Sequence, residues 1–380
     1  MQNCNHQIKD INTYILYVLY FLINALFITK YLMRISLSVT LLVLSAYLII
    51  GLLLPRLAGQ LLPRLAAHVG HVGSRSLWFA ILGFILVLAG MQYLIDPYQI
   101  QVDRWSAIHN FINYLVHGRY PYMAPTHLGG YGSPFPVWQF LHIPFYYLNN
   151  VGLSLFAVLA FTLYTVKRLY GNRATLCFLA CLLYSPAFLY EIFVRSDLMA
   201  NFLLVLAVIN LLLIKQAGLS TRPVLFSLLL GMLLSTRLAV AIPFFIFLLR
   251  PFLSLNLRRK TSFLLGIFLT FSLTFLPFLL WDMKSLLFFE YNPFVLQTRQ
   301  GSLSGILLLI PVMIYLAFSW QDSRRRLYGN IGYGLFLLTA VTFIINMATS
   351  GNYRLFSPTY DISYFSMSLP FIIIANTRKL

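Results

Sequence analysis

Two acidic residues, Asp96 and Asp103, lie seven positions apart in a chain that contains only 9 aspartates and glutamates. Each stands where a helix could begin, a position at which aspartate often caps the first turn. A carboxylate near a helix N-terminus also stays ionised, because the helix dipole stabilises its negative charge. An ionised carboxylate can act as a general base or as a metal ligand. We therefore take Asp103 and Asp96 as candidate catalytic residues, with helix capping as the alternative.

A second charged group occurs in the sequence YEIFVRSD at 190–197, where Glu191 and Asp197 flank Arg195. The planar guanidinium of arginine binds a phosphate through two parallel N–H donors. Arg195 is therefore a candidate phosphate ligand. Glu191 and Asp197 could assist a metal ion or bind sugar hydroxyls. The alternative is a local ion pair between the arginine and its acidic neighbours.

Arg237 lies inside an apolar stretch, LLLGMLLSTRLAVAIPFF. Placing an arginine at the centre of a membrane helix costs roughly 2.5–3.5 kcal/mol, so such a residue usually faces a cavity or a partner. Thr236 and Arg237 also separate the runs 224–235 and 238–249, which are too short for two full spans. This pattern predicts two half-helices or one broken span beside a cavity. We predict that Arg237 binds phosphate; the alternative is a turn at the outer surface.

Glycine, proline and tyrosine crowd together in the sequence GRYPYMAPTHLGGYGSPFP at 118–136. A tyrosine ring with its polar hydroxyl suits a membrane interface, and it also stacks on sugar rings. We count Tyr122 and His127 among the candidate substrate-binding residues, with an aromatic membrane belt as the alternative for any tyrosine. Polar residues of the later loops could line or close the same cavity: Tyr291, Asn292, Gln297, Arg299, Tyr353, Arg354, Tyr360 and Asp361.

The elements that position these residues are long apolar runs. The chain has 380 residues, of which 60% are hydrophobic and 9% are charged, whereas soluble domains carry about 25% charged residues. This composition predicts an all-α, polytopic transmembrane helix bundle that forms one domain over residues 1–380. Twelve apolar runs predict about 11–12 membrane segments: 12–29, 35–54, 76–94, 138–166, 174–190, 198–214, 224–235, 238–249, 262–281, 303–320, 331–348 and 362–376.

The basic residues fall in short blocks between these runs. If the segments alternate across the membrane, 18 of the 27 lysines and arginines lie on one side, which the positive-inside rule makes cytoplasmic. These are Lys9, Arg56, Arg64, Arg75, Lys167, Arg168, Arg173, Lys215, Arg222, Arg250, Arg258, Arg259, Lys260, Arg324, Arg325, Arg326, Arg378 and Lys379. Both termini are then cytoplasmic. Lys30 and Arg34 are an exception, because their turn falls on the outer side.

The net charge of +18 reflects this topology signal rather than a nucleic-acid surface, since no basic soluble domain interrupts the apolar runs. Seven of the nine acids fall on the outer side, in four loops at 95–137, 190–197, 282–302 and 349–361. The first of these loops is long and rich in aromatic residues, which argues against disorder. Within it, over 103–117, apolar residues recur at helical spacing on one side and polar residues on the other. Gly118 follows at the position of a helix C-cap. We predict an amphipathic helix at 103–117 that lies in the membrane interface with its apolar face toward lipid.

The outer loop resembles that of the GT-C superfamily, the integral-membrane glycosyltransferases that use polyprenyl-phosphate sugars. The resemblance rests on an acid, an amphipathic helix, a Gly-x-x-Pro-Tyr turn and a proline-rich approach to the next span. The matching residues are Asp103, Gly118, Pro121, Tyr122, Pro134 and Pro136. The resemblance covers the layout of residues 76–300 and implies a catalytic carboxylate in this loop, at Asp103 or Asp96. The adjacent acids typical of the family are absent here.

The resemblance implies transfer of a sugar from a polyprenyl-phosphate or polyprenyl-diphosphate carrier to an acceptor hydroxyl on the non-cytoplasmic side of the membrane. The distribution of lysines and arginines suggests a bacterial cytoplasmic membrane. The acceptor could be a glycan, a lipid or a protein. Whether a divalent metal bridges the phosphate and the outer acids is left open. Two other classes stay as alternatives. A lipid-linked oligosaccharide flippase or other transporter would also use broken helices and a buried arginine. A polysaccharide polymerase or ligase would share the donor but rely on arginines and a later loop.

Overall fold

The computed structural model describes residues 2–53, 74–299, 301–320, 323–357 and 359–377. Throughout these residues the chain is helical, and its extended pairing is limited to one isolated bridge between Pro125 and Tyr131. Four helices are long and apolar enough to cross a membrane: Asn12–Leu32, Val151–Leu183, Leu257–Leu287 and Arg324–Ser350. A fifth span results if the bent pair Pro186–Phe193 and Leu198–Ile214 counts as one. The described residues therefore fit an all-α integral membrane protein.

The helices follow one another along the chain with short connections. Their bounds are α1 Gln2–Leu32, α2 Leu37–Leu53, α3 Ser74–Met91, α4 Arg104–Val116, α5 Pro136–Leu141, α6 Ile143–Tyr147, α7 Ser154–Leu183, α8 Pro186–Phe193, α9 Leu198–Ile214, α10 Pro223–Leu234, α11 Ala241–Leu253, α12 Leu257–Leu287, α13 Pro293–Gln297, α14 Leu303–Ser319, α15 Arg324–Ser350 and α16 Leu369–Asn376. Six apolar helices of 10–17 residues accompany the long ones. The longest of them, Leu37–Leu53 and Leu303–Ser319, have 17 residues, at the lower limit of about 17–25 residues for a membrane span.

The predicted run at 138–166 is wrong as one continuous helix. The structure divides its first half between α5 and α6, which meet at His142. Pro144 lies in the first turn of the second helix, directly after Ile143, where the missing N–H of proline costs no helical hydrogen bond. Asn149 then adopts a left-handed conformation with φ 62°, which ends α6 before α7 starts at Ser154.

The expected turn around Lys167 and Arg173 is replaced by a kink inside α7. Gly171 has φ 83°, a left-handed value that glycine adopts without a steric penalty, and helical residues continue on both sides of it. The next predicted break, at 190–197, is confirmed. There α8 ends at Phe193, α9 begins at Leu198, and the two axes differ in direction by 114°. The four residues between them carry Arg195 and Asp197.

The core is built around α9, whose residues are buried on nearly every side. By contrast, α12 exposes a stripe of large apolar side chains: Leu264, Leu265, Phe268, Leu269, Leu273, Leu276 and Leu280. A soluble protein rarely exposes such a large apolar patch, whereas a lipid-facing helix requires one. We therefore place α9 at the centre of the bundle and α12 at its periphery.

The predicted interruption at Thr236 and Arg237 is confirmed between α10 and α11. The last carbonyls of α10 would be left without partners by such a break. The outer loop pairs with the residues of the break itself, because Phe135 and Val137 donate backbone N–H groups to the carbonyls of Thr236 and Ser235 at 3.2 and 3.1 Å. The broken run is therefore held by the loop that carries Asp103.

Helix α4 lies within the predicted segment 103–117, but its apolar face does not point to lipid. Trp105, Ile108, Phe111 and Ile112 are buried against the rest of the protein. This packing fixes the start of the helix rigidly, which matters because Asp103 directly precedes it.

Several charges used to predict the membrane orientation cannot be compared with the structure. Arg56, Arg64, Asp322, Arg378 and Lys379 lie outside the described residues, as do the side chains of Lys9, Asp10 and Arg75.

Candidate functional site

A cavity of about 580 Å³ opens at one end of the helix bundle. All four predicted outer loops contribute to its wall, together with the end of α1 and the end of α15. The lining residues are Lys30, Tyr31, Arg34, Gln101, Val102, Asp103, Arg104, Tyr190, Ser196, Arg299, Phe343, Asn346, Thr359, Tyr360, Asp361, Ser363 and Tyr364. The loops that hold most of the acids of this chain therefore meet around one space.

Asp103 borders this cavity and is not used as a helix cap. Its side chain makes no capping hydrogen bond to α4, although the residue stands at the N-cap position. Instead, the Thr126 hydroxyl donates to Asp103 Oδ2 at 2.8 Å. Gly130 lies so close that a Cβ atom there would come within 2.9 Å of the same oxygen. The carboxylate is thus held by the turn at 126–130 and keeps its other oxygen for a ligand.

Arg104 joins the first outer loop to the last one. Its guanidinium donates to Asp361 Oδ2 and to the Ser363 hydroxyl, both at 2.6 Å. Ser363 in turn donates its hydroxyl to Asp361. Burial acts to raise the pKa of Asp361, but the Arg104 guanidinium and the Ser363 hydrogen bonds outweigh it and hold that pKa below its usual range. This pair stays fully charged at neutral pH.

A smaller cavity of about 110 Å³ adjoins the first and shares Asp103, Arg104 and Asp361 with it. Its wall also includes Arg237 and Asp197, which form an ion pair whose side chains are each only 3% exposed. Trp138 Nε1 donates to Asp197 Oδ2 at 2.6 Å. A buried pair of this kind withstands desolvation only with such added hydrogen bonds.

The buried pair retains unused hydrogen-bonding capacity. Asp197 Oδ1 and Arg237 Nε are buried without a hydrogen-bond partner in the described part of the chain. Two side chains from the neighbouring helix α5 and its end, Gln139 and His142, likewise each keep one buried atom unpaired. Buried polar atoms are nearly always satisfied by protein or water, so this region is suited to a polar ligand.

The wall of the larger cavity is rich in positive charge. Lys30, Arg34 and Arg299 border it together with Arg104. Lys30 donates to the backbone carbonyl of Tyr360 at 2.5 Å. Only two ion pairs, Arg104–Asp361 and Arg237–Asp197, occur among the described residues, so Arg34 and Arg299 have no carboxylate partner there. Unpaired cations in a concave wall attract an anionic ligand.

Of the other predicted site residues, Asp96 lies away from both cavities. It is exposed, and its side chain accepts a hydrogen bond from the backbone N–H of Tyr98 at 3.0 Å, which caps a short 3₁₀ turn. Glu191 is fully buried between α8 and α9. Its Oε2 atom accepts from the Met199 backbone N–H at 3.0 Å, and it lines neither cavity.

Arg195 is turned away from the cavities. Its guanidinium donates to the carbonyls of Gln92 and Ile95 at 2.7 and 3.3 Å. The residue has φ 53°, a rare left-handed value for a side chain with Cβ, which the surrounding contacts must enforce. The alternative, a local ion pair with Glu191 or Asp197, is absent from the described residues. Arg195 instead fastens the bend between α8 and α9 to the end of α3.

Tyr122 and His127 stabilise the outer loop. The Tyr122 ring is buried against Phe111 and Phe278, with centroid distances of 4.9 and 5.3 Å. Both ring nitrogens of His127 are engaged, with the Ser106 hydroxyl at 2.7 Å and with the Ile100 carbonyl at 3.1 Å. Neither residue borders a cavity.

The predicted candidates that the structure brings together are therefore Asp103, Asp197 and Arg237, with Arg299, Tyr360 and Asp361 from the later loops. Lys30, Arg34 and Arg104 were missed. A signal for the first two existed, because a basic turn on the predicted outer side departs from the positive-inside rule. Within the described part of the chain, no group of three histidine, cysteine or acidic side chains could hold a metal ion.

Comparisons of the chain with protein-family models, with curated proteins and with solved structures gave no match. The residues of the cavity themselves indicate which chemistry the site can support. Two carboxylates, Asp103 and the ion-paired Asp361, stand beside several cations in this cavity. Such an arrangement can bind a phosphorylated ligand and remove a proton from a neighbouring hydroxyl.

Proposed function

We propose that this protein is a membrane glycosyltransferase that moves a sugar from a polyprenyl-phosphate or polyprenyl-diphosphate carrier to an acceptor hydroxyl. The observation that carries the proposal is the shared wall of the larger cavity, where Asp103 lies with Lys30, Arg34, Arg104 and Arg299. A group-transfer reaction of this kind needs a base for the acceptor and cations for the leaving phosphate. The similarity of the outer loop to GT-C enzymes agrees with this division of roles.

In the proposed reaction, Asp103 accepts the proton of the acceptor hydroxyl. The hydroxyl oxygen forms a bond to the anomeric carbon of the donor sugar, while the bond from that carbon to the carrier phosphate oxygen breaks. The carrier leaves with the bonding electrons as a phosphate or diphosphate anion. Arg34 and Arg299 stabilise this developing charge, because neither is neutralised by a described carboxylate.

We assign Arg237 to the smaller cavity rather than to direct neutralisation of the leaving group. Its charge is already balanced by Asp197, so the pair presents a fixed dipole with the unpaired Asp197 Oδ1 and Arg237 Nε atoms. Such groups are suited to hydrogen-bond the hydroxyls of a sugar. This role keeps Arg237 and Asp197 as substrate-binding residues, as the sequence predicts, with sugar rather than phosphate as the group bound by Arg237.

We further propose that the short apolar helices complete a bundle of about 11–12 membrane segments in a bacterial cytoplasmic membrane. In that arrangement both termini are cytoplasmic and the cavity opens on the outer side. A lipid carrier could then reach the cavity from the bilayer without leaving it. The exposed apolar stripe of α12 supports a lipid environment for the bundle.

A polysaccharide polymerase or ligase is a second candidate, favoured by one observation. Arg299 and Asp361 from later loops border the cavity as closely as Asp103 does. That class would depend on the arginines and tolerate loss of the Asp103 carboxylate. For a lipid-linked oligosaccharide flippase or other transporter, carboxylate loss would affect transport of the carrier instead of sugar transfer.

The test is a transfer assay on purified variants with a radiolabelled polyprenyl-phosphate sugar donor. Loss of a general base reduces the rate by about 10²–10⁴-fold, and we expect Asp103→Asn to fall in that range. Asp96→Asn provides the matched comparison, because it removes the neighbouring outer-loop carboxylate that caps an exposed turn. We expect it to retain most of the activity.

Full transfer by Asp103→Asn would exclude the proposed mechanism. If the same variant retained transfer while Arg299→Gln abolished it, the polymerase or ligase class would replace our proposal. Carrier flipping in liposomes, measured on the same preparations, separates the transporter class.

A further inference from the structure

Three aromatic rings from two distant loops form a cluster beside the smaller cavity. The rings of Tyr131 and Tyr291 are stacked, with centroids 5.4 Å apart and planes 11° from parallel. Phe289 meets both rings edge-on, at 4.9 Å from Tyr131 and 5.7 Å from Tyr291. Tyr291 remains 40% exposed, so the cluster is at the surface rather than in the core. We call Tyr131, Phe289 and Tyr291 the aromatic platform.

The platform is tied to Asp103 through a seven-residue turn at 125–131. Two hydrogen bonds close the turn. The Thr126 N–H donates to the Gly130 carbonyl at 2.8 Å, and the Gly130 N–H donates to the Thr126 hydroxyl at 2.9 Å. The same Thr126 hydroxyl donates to Asp103 Oδ2. Tyr131, at the end of the turn, pairs with Pro125 through a β-bridge. One small turn therefore positions both the carboxylate and the ring.

Tyr131 and Asp103 also border the same space. Both line the cavity of about 110 Å³, together with Ser133 and Arg299. A ligand in that cavity would contact an aromatic ring on one side and polar or charged groups on the other. Few ligand classes combine an apolar face with a polar rim in this way. Sugar rings do, because their C–H groups project from the faces while their hydroxyls surround the edge.

We propose that the aromatic platform is the acceptor subsite and that the acceptor is a carbohydrate whose reacting hydroxyl faces Asp103. The inference rests on the proposed glycosyltransferase function and narrows its acceptor from glycan, lipid or protein to glycan. Stacking on Tyr131 orients the acceptor ring, and the stacked ring of Tyr291 holds Tyr131 in place. Lys30 and Arg34 border only the larger cavity, and in this proposal the donor phosphate binds there.

The experiment measures acceptor binding without donor, by saturation-transfer NMR on the full chain in nanodiscs. The probes are methyl hexosides, methyl pentosides and linear hexose trisaccharides, with a serine- and threonine-containing peptide and phosphatidylethanolamine vesicles as the other acceptor classes. We expect at least one carbohydrate to bind, and expect Tyr131→Ala and Tyr291→Ala to weaken it by roughly tenfold. Tyr131→Phe keeps the ring and should bind normally. Tyr147→Ala is the matched control, because Tyr147 is 70% exposed at the end of α6 and borders neither cavity.

The two proposals fail in different ways. Asp103→Asn should bind the carbohydrate normally and lose transfer. If no probe carbohydrate binds, or if binding is equal in wild type, Tyr131→Ala and Tyr291→Ala, the acceptor inference is overturned whether or not transfer occurs. Transfer to the peptide or lipid with normal rates in the ring variants would also overturn it, while leaving the glycosyltransferase proposal intact. Ring-dependent carbohydrate binding without any transfer from a lipid-linked donor would instead remove the proposed function.

Discussion

Arg104 and Asp361 are 257 positions apart in the chain, yet their side chains meet at 2.6 Å in the wall of the larger cavity. The side chain of the arginine is 14% exposed and that of the aspartate 43%, so the pair lies in the cavity wall with the carboxylate accessible to solvent. Two segments that could move independently, the start of α4 and the turn after 359, are thereby joined.

The first prediction concerns pH. Because the folded pKa of Asp361 is held below its usual range, its ionised form stabilises the folded protein. That contribution is complete above the unfolded pKa of about 4 and disappears as pH falls through the lower folded pKa. Between pH 6 and pH 3 we expect the melting temperature of wild type to fall more steeply than that of Asp361→Asn. Equal slopes in thermal-shift measurements on detergent-purified protein would contradict this role.

The second prediction concerns Gly130. Its Cβ would lie 2.9 Å from Asp103 Oδ2 and 3.4 Å from Thr126 Oγ1, so Gly130→Ala must displace the carboxylate. A misplacement of about 1 Å can reduce a rate by about 100-fold, and we expect a loss of roughly 10–100-fold in sugar transfer with little change in melting temperature. Gly90→Ala is the control, because no atom lies within 4 Å of its Cβ position. Equal activity of the two variants would show that the Asp103 position is not critical.

The third prediction concerns the buried pair of Arg237 and Asp197. Removing one member of a buried pair leaves the other charge uncompensated and typically costs about 3–5 kcal/mol. We expect Arg237→Met and Asp197→Leu to destabilise the protein by that amount singly. The double variant should lose less than the sum, because no lone charge remains. Chemical unfolding in a fixed detergent measures the three free energies. Additive losses would mean that the two side chains do not act as a pair.

Parts of this site could be predicted because charge is rare in an apolar chain. Arg237 and Asp103 stand out in sequence, and the structure has both in the wall of one small cavity. Arg195 and Glu191 stand out equally in sequence, but their hydrogen bonds to the backbone stabilise the bend between α8 and α9. A buried charge signals that a partner exists and does not say whether that partner is a ligand or the backbone.

The breaks at 190–197 and at Thr236 and Arg237 could be predicted, but the division of 138–153 and the long-range contacts could not. The hydrophobic pattern located α9 and α14 well, since a long uninterrupted apolar run predicts one continuous helix. It gave no indication that residues 138–153 would fold as several short helices, because that outcome depends on Pro144 and Asn149 in their tertiary setting. The pairing of Arg104 with Asp361 depends equally on how the whole bundle closes.

The last prediction concerns the cations of the larger cavity. Arg34 and Arg299 border the cavity and have no carboxylate partner among the described residues. Arg34 lies over the Tyr31 ring at 5.2 Å, a contact with the face of the guanidinium that leaves its N–H donors for a phosphate. We expect Arg34→Gln and Arg299→Gln each to raise the KM for the polyprenyl-phosphate donor by roughly tenfold, with additive effects in the double variant. Arg119→Gln is the matched control, because Arg119 stacks over Tyr114 at 5.0 Å and borders neither cavity. Added salt should weaken donor binding by wild type more than by the double variant, since fewer charges remain to be screened. A donor KM that is unchanged in both single variants would mean that the phosphate lies elsewhere.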